Sequence, residues 1–223
     1  DYILFFSNRG RIYRMKGYEI PEFSRQSKGL PIINLLPLEK EENISSIISL
    51  SVENEDQKYI VFVTRNGLVK RTELSEFDNI RKSGKIAIGL KEDDELIYVG
   101  VTSGNDEIAI GANNGRMVRF NESEVRVMGR SASGVKGIEL ENSHVIGAEV
   151  IKPGQLILIV TENGYGKKSE IEEYRLTHRG SKGVKALNIT DKNGMMVALN
   201  CVNSEGNYDL MIITDNGIII KLP

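Results

Sequence analysis

A pattern of paired glycines repeats through the chain with a period of about fifty residues. In each unit a glycine in a tight turn is followed, 17 or 19 residues later, by a glycine in a basic segment. The turn glycines are Gly10, Gly67, Gly115, Gly164 and Gly217, and the loop glycines are Gly29, Gly84, Gly134 and Gly183. Self-similarity at this period predicts an array of supersecondary units that bury their apolar surface by stacking on one another.

The turn glycines mark β-hairpins, because four of the five follow an asparagine and Asn-Gly is the strongest short hairpin signal. The strand that enters each turn is apolar at consecutive positions, as at Ile60, Val61 and Phe62, which predicts burial on both faces. Each unit reads as strand, turn, strand, basic loop, strand, acidic turn and strand. Four strands per unit predict an all-β, propeller-like repeat.

The repeat divides a single predicted domain, residues 1–223, into units of about 1–54, 55–104, 105–152 and 153–204, with a partial unit at 205–223. We therefore expect about four and a half blades, and a chain that is cut within the array at both ends. Each loop glycine is followed six residues later by a leucine or isoleucine: Leu35, Leu90, Leu140 and Ile189.

The composition excludes several classes of function. Hydrophobic residues make up 40% of the chain and the net charge is only -2, which is typical of an ordinary globular domain. Cys201 is the single cysteine, so no intrachain disulfide can form, and with His144 and His178 it supplies too few ligands for zinc. The apolar runs are too short for a membrane span. No catalytic motif is present, so we expect no catalytic residues, no metal and no cofactor, and a cytosolic location.

Basic residues are concentrated in the four loops at 25–31, 81–85, 130–136 and 179–185, which contain no acid. The ten cations are Arg25, Lys28, Arg81, Lys82, Lys85, Arg130, Lys136, Arg179, Lys182 and Lys185. Acidic residues cluster instead in the turn after the third strand, so a ring of blades is predicted to carry a basic belt and a separate acidic zone. The loops could serve only to keep strand edges soluble, but acid-free loops in a chain with 31 acids favour a polyanion.

The loop glycines are predicted to let backbone N–H groups approach phosphate closely. Aromatic residues make up only 6% of the chain, which provides no repeated stacking platform for single-stranded bases. The predicted ligand is therefore the backbone of a duplex.

A second charge pattern recurs beside the turns. Four residues after the turn glycine stand Arg14, Arg71, Arg119 and Lys168, and nine after it stand Glu19, Glu76, Glu124 and Glu173. The constant spacing predicts an ion pair within each blade, with DNA contact as the alternative role of the basic member. The next residue is always apolar and is predicted to be core: Ile20, Phe77, Val125 and Tyr174.

These residues together resemble the C-terminal domain of the bacterial DNA gyrase A subunit. The most specific stretches are FFSNRGRIYRMKGYEIP (5–21), KGLPIINLLPLE (28–39), TENGYGKKSEIEEY (161–174) and MIITDNGIIIKL (211–222). The resemblance implies a β-pinwheel whose basic perimeter wraps duplex DNA and supports ATP-dependent negative supercoiling by a type IIA topoisomerase. It also implies that the catalytic tyrosine and the ATPase lie outside this chain.

The partners implied by the resemblance are duplex DNA, the rest of the gyrase A subunit, and the gyrase B subunit within an A2B2 holoenzyme in the bacterial cytoplasm, at the nucleoid. The isolated domain is expected to be a monomer. The family's Gln-Arg-Arg-Gly-Gly-Lys-Gly box is absent, and RQSKGLP at 25–31 only approximates it. This departure leaves open the related C-terminal domain of topoisomerase IV. A protein-interaction β-propeller is the alternative from a different functional class.

Overall fold

A computed structural model of the chain describes residues 2–50, 56–205, 209–214 and 217–222. The predicted unit boundary at 54/55 and Asn216 of the last predicted turn lie outside these residues. The strands are β1 (Tyr2–Ser7), β2 (Arg11–Lys16), β3 (Ile44–Leu50), β4 (Tyr59–Thr64), β5 (Leu68–Glu73), β6 (Lys85–Ile86), β7 (Leu96–Thr102), β8 (Glu107–Ala112), β9 (Arg116–Asn121), β10 (Val135–Lys136), β11 (Val145–Ile151), β12 (Gln155–Thr161), β13 (Gly166–Glu170), β14 (Val184–Lys185), β15 (Met196–Asn203), β16 (Leu210–Ile213) and β17 (Ile219–Leu222).

Short 3₁₀ turns at Gly17–Glu19, Ile32–Asn34, Leu74–Phe77, Glu122–Glu124 and Ile171–Glu173 are the helical segments of the described residues. The predicted all-β class is confirmed. None of these segments has the length and apolar character needed to cross a bilayer.

The strands form antiparallel sheets that follow one another along the chain. Three sheets have four strands, in the orders β3-β1-β2-β6, β10-β5-β4-β7 and β11-β8-β9-β14. A three-stranded sheet, β13-β12-β15, and the hairpin β16-β17 complete the described residues. In the four larger sheets the last strand of each unit pairs with the first strand, and the hairpin predicted at each turn glycine joins the first strand to the second.

The outermost strand of each four-stranded sheet comes from the following unit. β6 pairs with β2, β10 with β5, and β14 with β9. This exchange of a strand between units brings the two glycine positions of the repeat together. In the second, third and fourth units, the residue three after the loop glycine donates to the carbonyl of the turn glycine of the preceding unit. These bonds run from Ala87 N to Gly10 O, from Gly137 N to Gly67 O and from Ala186 N to Gly115 O, each 2.8 Å long. A sheet therefore combines strands of two sequence units.

The exchange also explains the apolar residue six after each loop glycine. A Cβ built on Gly10 lies 3.2 Å from the Leu90 side chain, and one on Gly67 lies 2.9 Å from Leu140. The recurring leucine is thus the residue that covers the turn glycine of the preceding unit.

Apolar cores fill the spaces between neighbouring sheets. Along β4, Ile60 and Phe62 join the cluster shared with the first sheet, whereas Val61 and Val63 join the cluster shared with the third. All four side chains have 0% exposure. The predicted burial on both faces is confirmed for β4, whereas it is wrong for β16 of the last hairpin, where Met211 and Ile213 are 61% and 64% exposed.

The residue predicted to be core after each glutamate is buried in three units and exposed in the first. Phe77, Val125 and Tyr174 are at most 3% exposed, whereas Ile20 is 41% exposed. The three buried side chains each lie in the cluster between their own sheet and the preceding one. The first sheet has no preceding sheet among the described residues, so the prediction for Ile20 is wrong.

We expect a loop glycine that precedes an exchanged strand to be far more sensitive to substitution than the equivalent glycine of the first unit, which contacts no neighbouring strand. Gly183 and Gly29 both have positive φ, of 67° and 69°. A Cβ on Gly183 would lie 2.1 Å from Met117 O, whereas nothing lies within 4 Å of one on Gly29. Gly29→Ala should lower the free energy of unfolding by about 1 to 2 kcal/mol, from the left-handed conformation alone. Gly183→Ala should cost clearly more, because the strand must move away from β9.

Urea unfolding of the two variants and the wild type measures this difference. Equal losses in the two alanine variants would show that close approach of the exchanged strand contributes nothing to stability.

Candidate nucleic-acid interface

The basic loops of the second, third and fourth units lie side by side along the outer edges of the sheets. Each loop leads into an exchanged outermost strand, β6, β10 or β14. Gly89 N donates to Ala132 O at 3.1 Å, and Gly180 N donates to Gly137 O at 2.6 Å, so the segments of successive units touch. We call residues 81–89, 130–139 and 179–187 the rim.

The first loop, residues 25–31, is exposed along its whole length and pairs with no described strand. Its cations Arg25 and Lys28 are free of side-chain hydrogen bonds and ion pairs within the described residues, and so are Arg81 and Lys82 of the rim. These four exposed side chains keep a fully available positive charge.

Four rim lysines are held by nearby acceptors. Lys85 donates to the carbonyls of Glu76 and Asn79 (3.3 and 3.2 Å), Lys136 to the Glu139 carboxylate (2.5 Å), Lys182 to the Glu141 carboxylate, and Lys185 to Asn188 Oδ1 (3.3 Å). The exposed ion pairs of Lys136 and Lys182 contribute at most about 1 kcal/mol each. An anion that binds these lysines more tightly can therefore displace the carboxylates. Glu139 and Glu141 belong to the third acidic turn, so the predicted separation of basic belt and acidic zone is incomplete there.

Two rim arginines join neighbouring units. Arg130 Nε lies 3.3 Å from the carboxylate of Glu76 in the preceding unit. Arg179 repeats the arrangement with Glu124: its Nε donates to the Glu124 carbonyl at 2.8 Å, and its backbone N donates to the Glu124 carboxylate at 3.2 Å. The loops of the third and fourth units are therefore each held on the preceding sheet by a glutamate of the preceding unit.

The ion pairs predicted within each blade are wrong, because the glutamates and their expected partners contact other groups. Glu19 accepts from Lys16 N at 2.8 Å, and Glu76 and Glu124 contact the rim as described above. The basic residues contact the following groups: Arg14 the Asp78 carbonyl (2.5 Å), Arg71 the Glu122 carboxylate (3.3 Å) and Arg119 the Glu107 carboxylate (2.6 Å). Lys168 and Glu173 form no ion pair with each other in the described part of the chain.

Glu122 shows why Arg71 has a structural role. Its carboxylate is 0% exposed and accepts from the Thr102 hydroxyl (2.7 Å), Gly104 N (2.8 Å) and Asp106 N (2.9 Å) as well as from Arg71. A charge at this depth is tolerated only when it is paired and fully hydrogen-bonded. Arg71 is itself only 9% exposed, so its guanidinium neutralises the buried carboxylate and is not available to a ligand.

Two arginines that support the rim were not predicted from the sequence. Arg11 Nη2 donates to the Ser83 carbonyl at 2.8 Å, and Arg116 Nη1 donates to the Gly183 carbonyl at 3.4 Å. Both directly follow a turn glycine, but the corresponding residues of the other units are Leu68, Tyr165 and Ile218, so the repeat gave no signal for this role.

Lys70 is a buried lysine that fastens the third loop to the second sheet. Its side chain is 0% exposed, and its Nζ donates to Ala87 O at 2.5 Å and to Arg130 O at 2.6 Å. The ammonium also lies over the Phe62 ring, 5.1 Å from the centroid. Burial and, to a lesser extent, the Arg130 charge lower the pKa of Lys70 from 10.5 to about 7, against an opposing effect of Glu76.

This pKa predicts a pH-dependent stability. Between pH about 7 and 10.5 the unfolded chain holds the Lys70 proton and the folded chain releases it. The free energy of unfolding should therefore rise with pH across this window, by at most about 1.4 kcal/mol per pH unit. Lys70→Met removes the titrating group, so the stability of wild type relative to the variant should increase from pH 7 to about 9.5. Urea unfolding at several pH values measures this difference, and a constant difference would contradict the assignment.

Exchanged four-stranded sheets, with a basic loop at each outer edge, define a repeat protein of the β-propeller class with a rim of basic loops. The family model described as DNA gyrase C-terminal domain, beta-propeller, matches residues 1–51, 58–103, 106–152, 155–203 and 208–223. The chain therefore belongs to this family.

Individual relatives agree with the family assignment. The chain is 50% identical over its full length to the DNA gyrase A subunit of Staphylococcus epidermidis, and it spans 25% of that protein. A crystal structure of the C-terminal domain of DNA topoisomerase IV matches 100% of this chain and 69% of the other with a TM-score of 0.87 and 30% identity. A DNA gyrase A C-terminal domain matches 99% and 71%, with a TM-score of 0.81 and 26% identity.

Proposed function

We propose that this chain is the DNA-wrapping part of a DNA gyrase A subunit, which binds duplex DNA along the rim and so supports negative supercoiling by a type IIA topoisomerase. The observation that carries the proposal is the contiguous rim of basic loops, with unpartnered Arg81 and Lys82, in a chain 50% identical to a gyrase A subunit. Phosphate contact by such cations releases counterions and does not depend on sequence.

The repeated loops support the part of the proposal in which the DNA is bent around the protein. Curving a segment of 20 to 30 base pairs by 40 to 90° costs on the order of 1 to 6 kcal/mol, so a curved path needs anchors at intervals along it. Loops that touch from one unit to the next supply such anchors.

The chain itself is proposed to be non-catalytic. The catalytic tyrosine and the ATPase are assigned to other parts of the enzyme, and the partners are the rest of the gyrase A subunit together with the gyrase B subunit, in an A2B2 assembly. We place the protein in the bacterial cytoplasm at the nucleoid, with no cofactor in this chain and a monomeric isolated domain.

A role in topoisomerase IV is the second candidate, supported by the structural match with a TM-score of 0.87. Gyrase is favoured because sequence identity to a gyrase A subunit is 50%, against 30% to that topoisomerase IV domain. A protein-interaction propeller is disfavoured because the exposed loops are basic and rich in glycine, whereas protein interfaces are rich in aromatic residues.

Binding to duplex DNA should be strongly salt-dependent, with a slope of log K against log salt of about -4 to -5 if half of the ten loop cations engage. Replacing Arg25, Lys28, Arg81 and Lys82 with alanine should reduce the magnitude of this slope by up to about 3 to 4. Folding should be unaffected, because these side chains have no partners to lose. Fluorescence anisotropy with labelled duplexes of different sequence measures both quantities.

A matched control replaces Lys40, Lys58, Lys91 and Lys192 with alanine, which removes the same charge at exposed positions outside the loops. Equal effects of the two quadruple variants would mean that net charge, and not the position of the cations in the loops, governs binding. A strong preference for one sequence would contradict backbone recognition.

Wrapping of DNA is measured separately from binding, through the linking number of a closed plasmid. A closed plasmid relaxed by a separate topoisomerase in the presence of this chain should keep an altered linking number after the protein is removed. The quadruple loop variant should shift the topoisomer distribution less than the wild type at equal occupancy. Tight binding with an unchanged distribution would make the chain a tether.

A further inference from the structure

The rim meets the preceding sheet at three equivalent junctions. The first is loop 81–85 on β2, the second is loop 130–136 on β5, and the third is loop 179–185 on β9. Each junction combines the arginine four after a turn glycine with the cations of the following unit's loop. Comparison of the three shows where the rim keeps its positive charge.

At the second junction each arginine has an acidic partner. Arg71 pairs with Glu122 at 3.3 Å, and Arg130 pairs with Glu76 at 3.3 Å. The loop lysine, Lys136, follows the same pattern with Glu139. Little net charge is left for a ligand.

The third junction is neutralised in part. Arg119 pairs with Glu107 at 2.6 Å, and Lys182 pairs with Glu141. Arg179 and Lys185 have neutral acceptors, the carbonyls of Glu124 and Lys136 for the guanidinium (2.8 and 3.2 Å) and Asn188 Oδ1 for the lysine (3.3 Å), so about half of this junction's cations keep their charge.

The first junction differs, because its cations have no carboxylate partner. Arg14 donates to the Asp78 carbonyl at 2.5 Å and stacks on the Tyr2 ring, with 4.5 Å from its guanidinium carbon to the centroid. Lys85 is held only by carbonyl oxygens, and Arg81 has no partner among the described residues. Neutral acceptors fix the side chains without cancelling their charges.

These three cations line one open cleft of about 640 Å³ that also contains Ser83 and Gly84 and has no acidic residue in its wall. Three positive charges, a hydroxyl and a loop with glycine at φ 77° are donors suited to a phosphate group. The cleft lies on the rim, in line with the loops of the later units.

We propose that this cleft is a seat for a backbone phosphate of duplex DNA, and that it holds the DNA more tightly than the second and third junctions do. The proposal rests on the function proposed above. DNA then engages the rim unequally: the first junction anchors the duplex, and the later junctions are occupied as the salt concentration falls.

The test compares two loop arginines, Arg81→Ala at the first junction and Arg130→Ala at the second. Arg81→Ala should weaken duplex binding about fivefold to tenfold near ~0.1 M salt and reduce the salt slope by about 0.9, as expected for one lost phosphate contact. Arg130→Ala should leave the slope nearly unchanged and should instead lower resistance to urea, because it removes the contact with Glu76.

A second measurement maps the contact directly. In a Cys201→Ala background, Ile86→Cys, which is exposed beside the cleft but outside its wall, or Ser131→Cys is labelled with an iron chelate that cleaves nearby DNA. Cleavage from position 86 should persist to higher salt than cleavage from position 131. Sodium phosphate and sodium chloride at matched ionic strength should release the DNA equally, because a single phosphate ion lacks the further contacts along the rim that hold a duplex.

The outcomes separate the two proposals. If the wild type binds DNA and the two arginine variants behave alike, or if the two cleavage signals fall together, the seat is overturned and the general function stands. Specific displacement by inorganic phosphate would also overturn it, in favour of a free anion. A wild type that fails to bind duplex DNA overturns both.

Discussion

The carbonyl of the turn glycine holds the structure together, because it accepts the backbone hydrogen bond of the strand that arrives from the next unit. In a four-stranded sheet, three strands come from the sheet's own unit, and this bond accompanies the arrival of the fourth. It places the short outer strand, it brings the recurring leucine over the glycine, and it sets the basic loop on the outer edge. A side chain at Gly10, Gly67 or Gly115 would block this approach, and the positive φ of all five turn glycines favours glycine independently.

Strand exchange also decides which charges serve the fold and which remain available. A loop that lies on the sheet of the preceding unit is held there by side chains of that sheet. These are its glutamates, buried Lys70, and the arginines that follow Gly10 and Gly115. Arg130 and Arg179 are used in this way, whereas Arg81 and Lys82 are exposed and have no partners among the described residues. Basic residues that look equivalent in the repeat thus have different roles.

The sequence was sufficient to predict the all-β class, the hairpins at the turn glycines, and a central strand buried on both faces. It was not sufficient to predict partners across units. A repeat has the same spacing whether residue and partner belong to one unit or to neighbouring units, so Glu76 and Glu124 were paired with the wrong basic residues. The prediction for Ile20 was wrong for a related reason. In the later units this position is covered by the preceding sheet, and periodicity alone does not show whether such a sheet is present.

The exchanged strand has a consequence for how the chain folds as it leaves the ribosome. β5 ends at Glu73, but its outer neighbour β10 begins at Val135, 62 residues later. At roughly 5 to 20 residues per second, the second sheet waits about 3 to 12 seconds for its fourth strand. During that interval the edge of β5 offers unpaired N–H and C=O groups to any other strand. Each newly made unit closes the one before it, so the growing chain always carries one open edge near its point of synthesis.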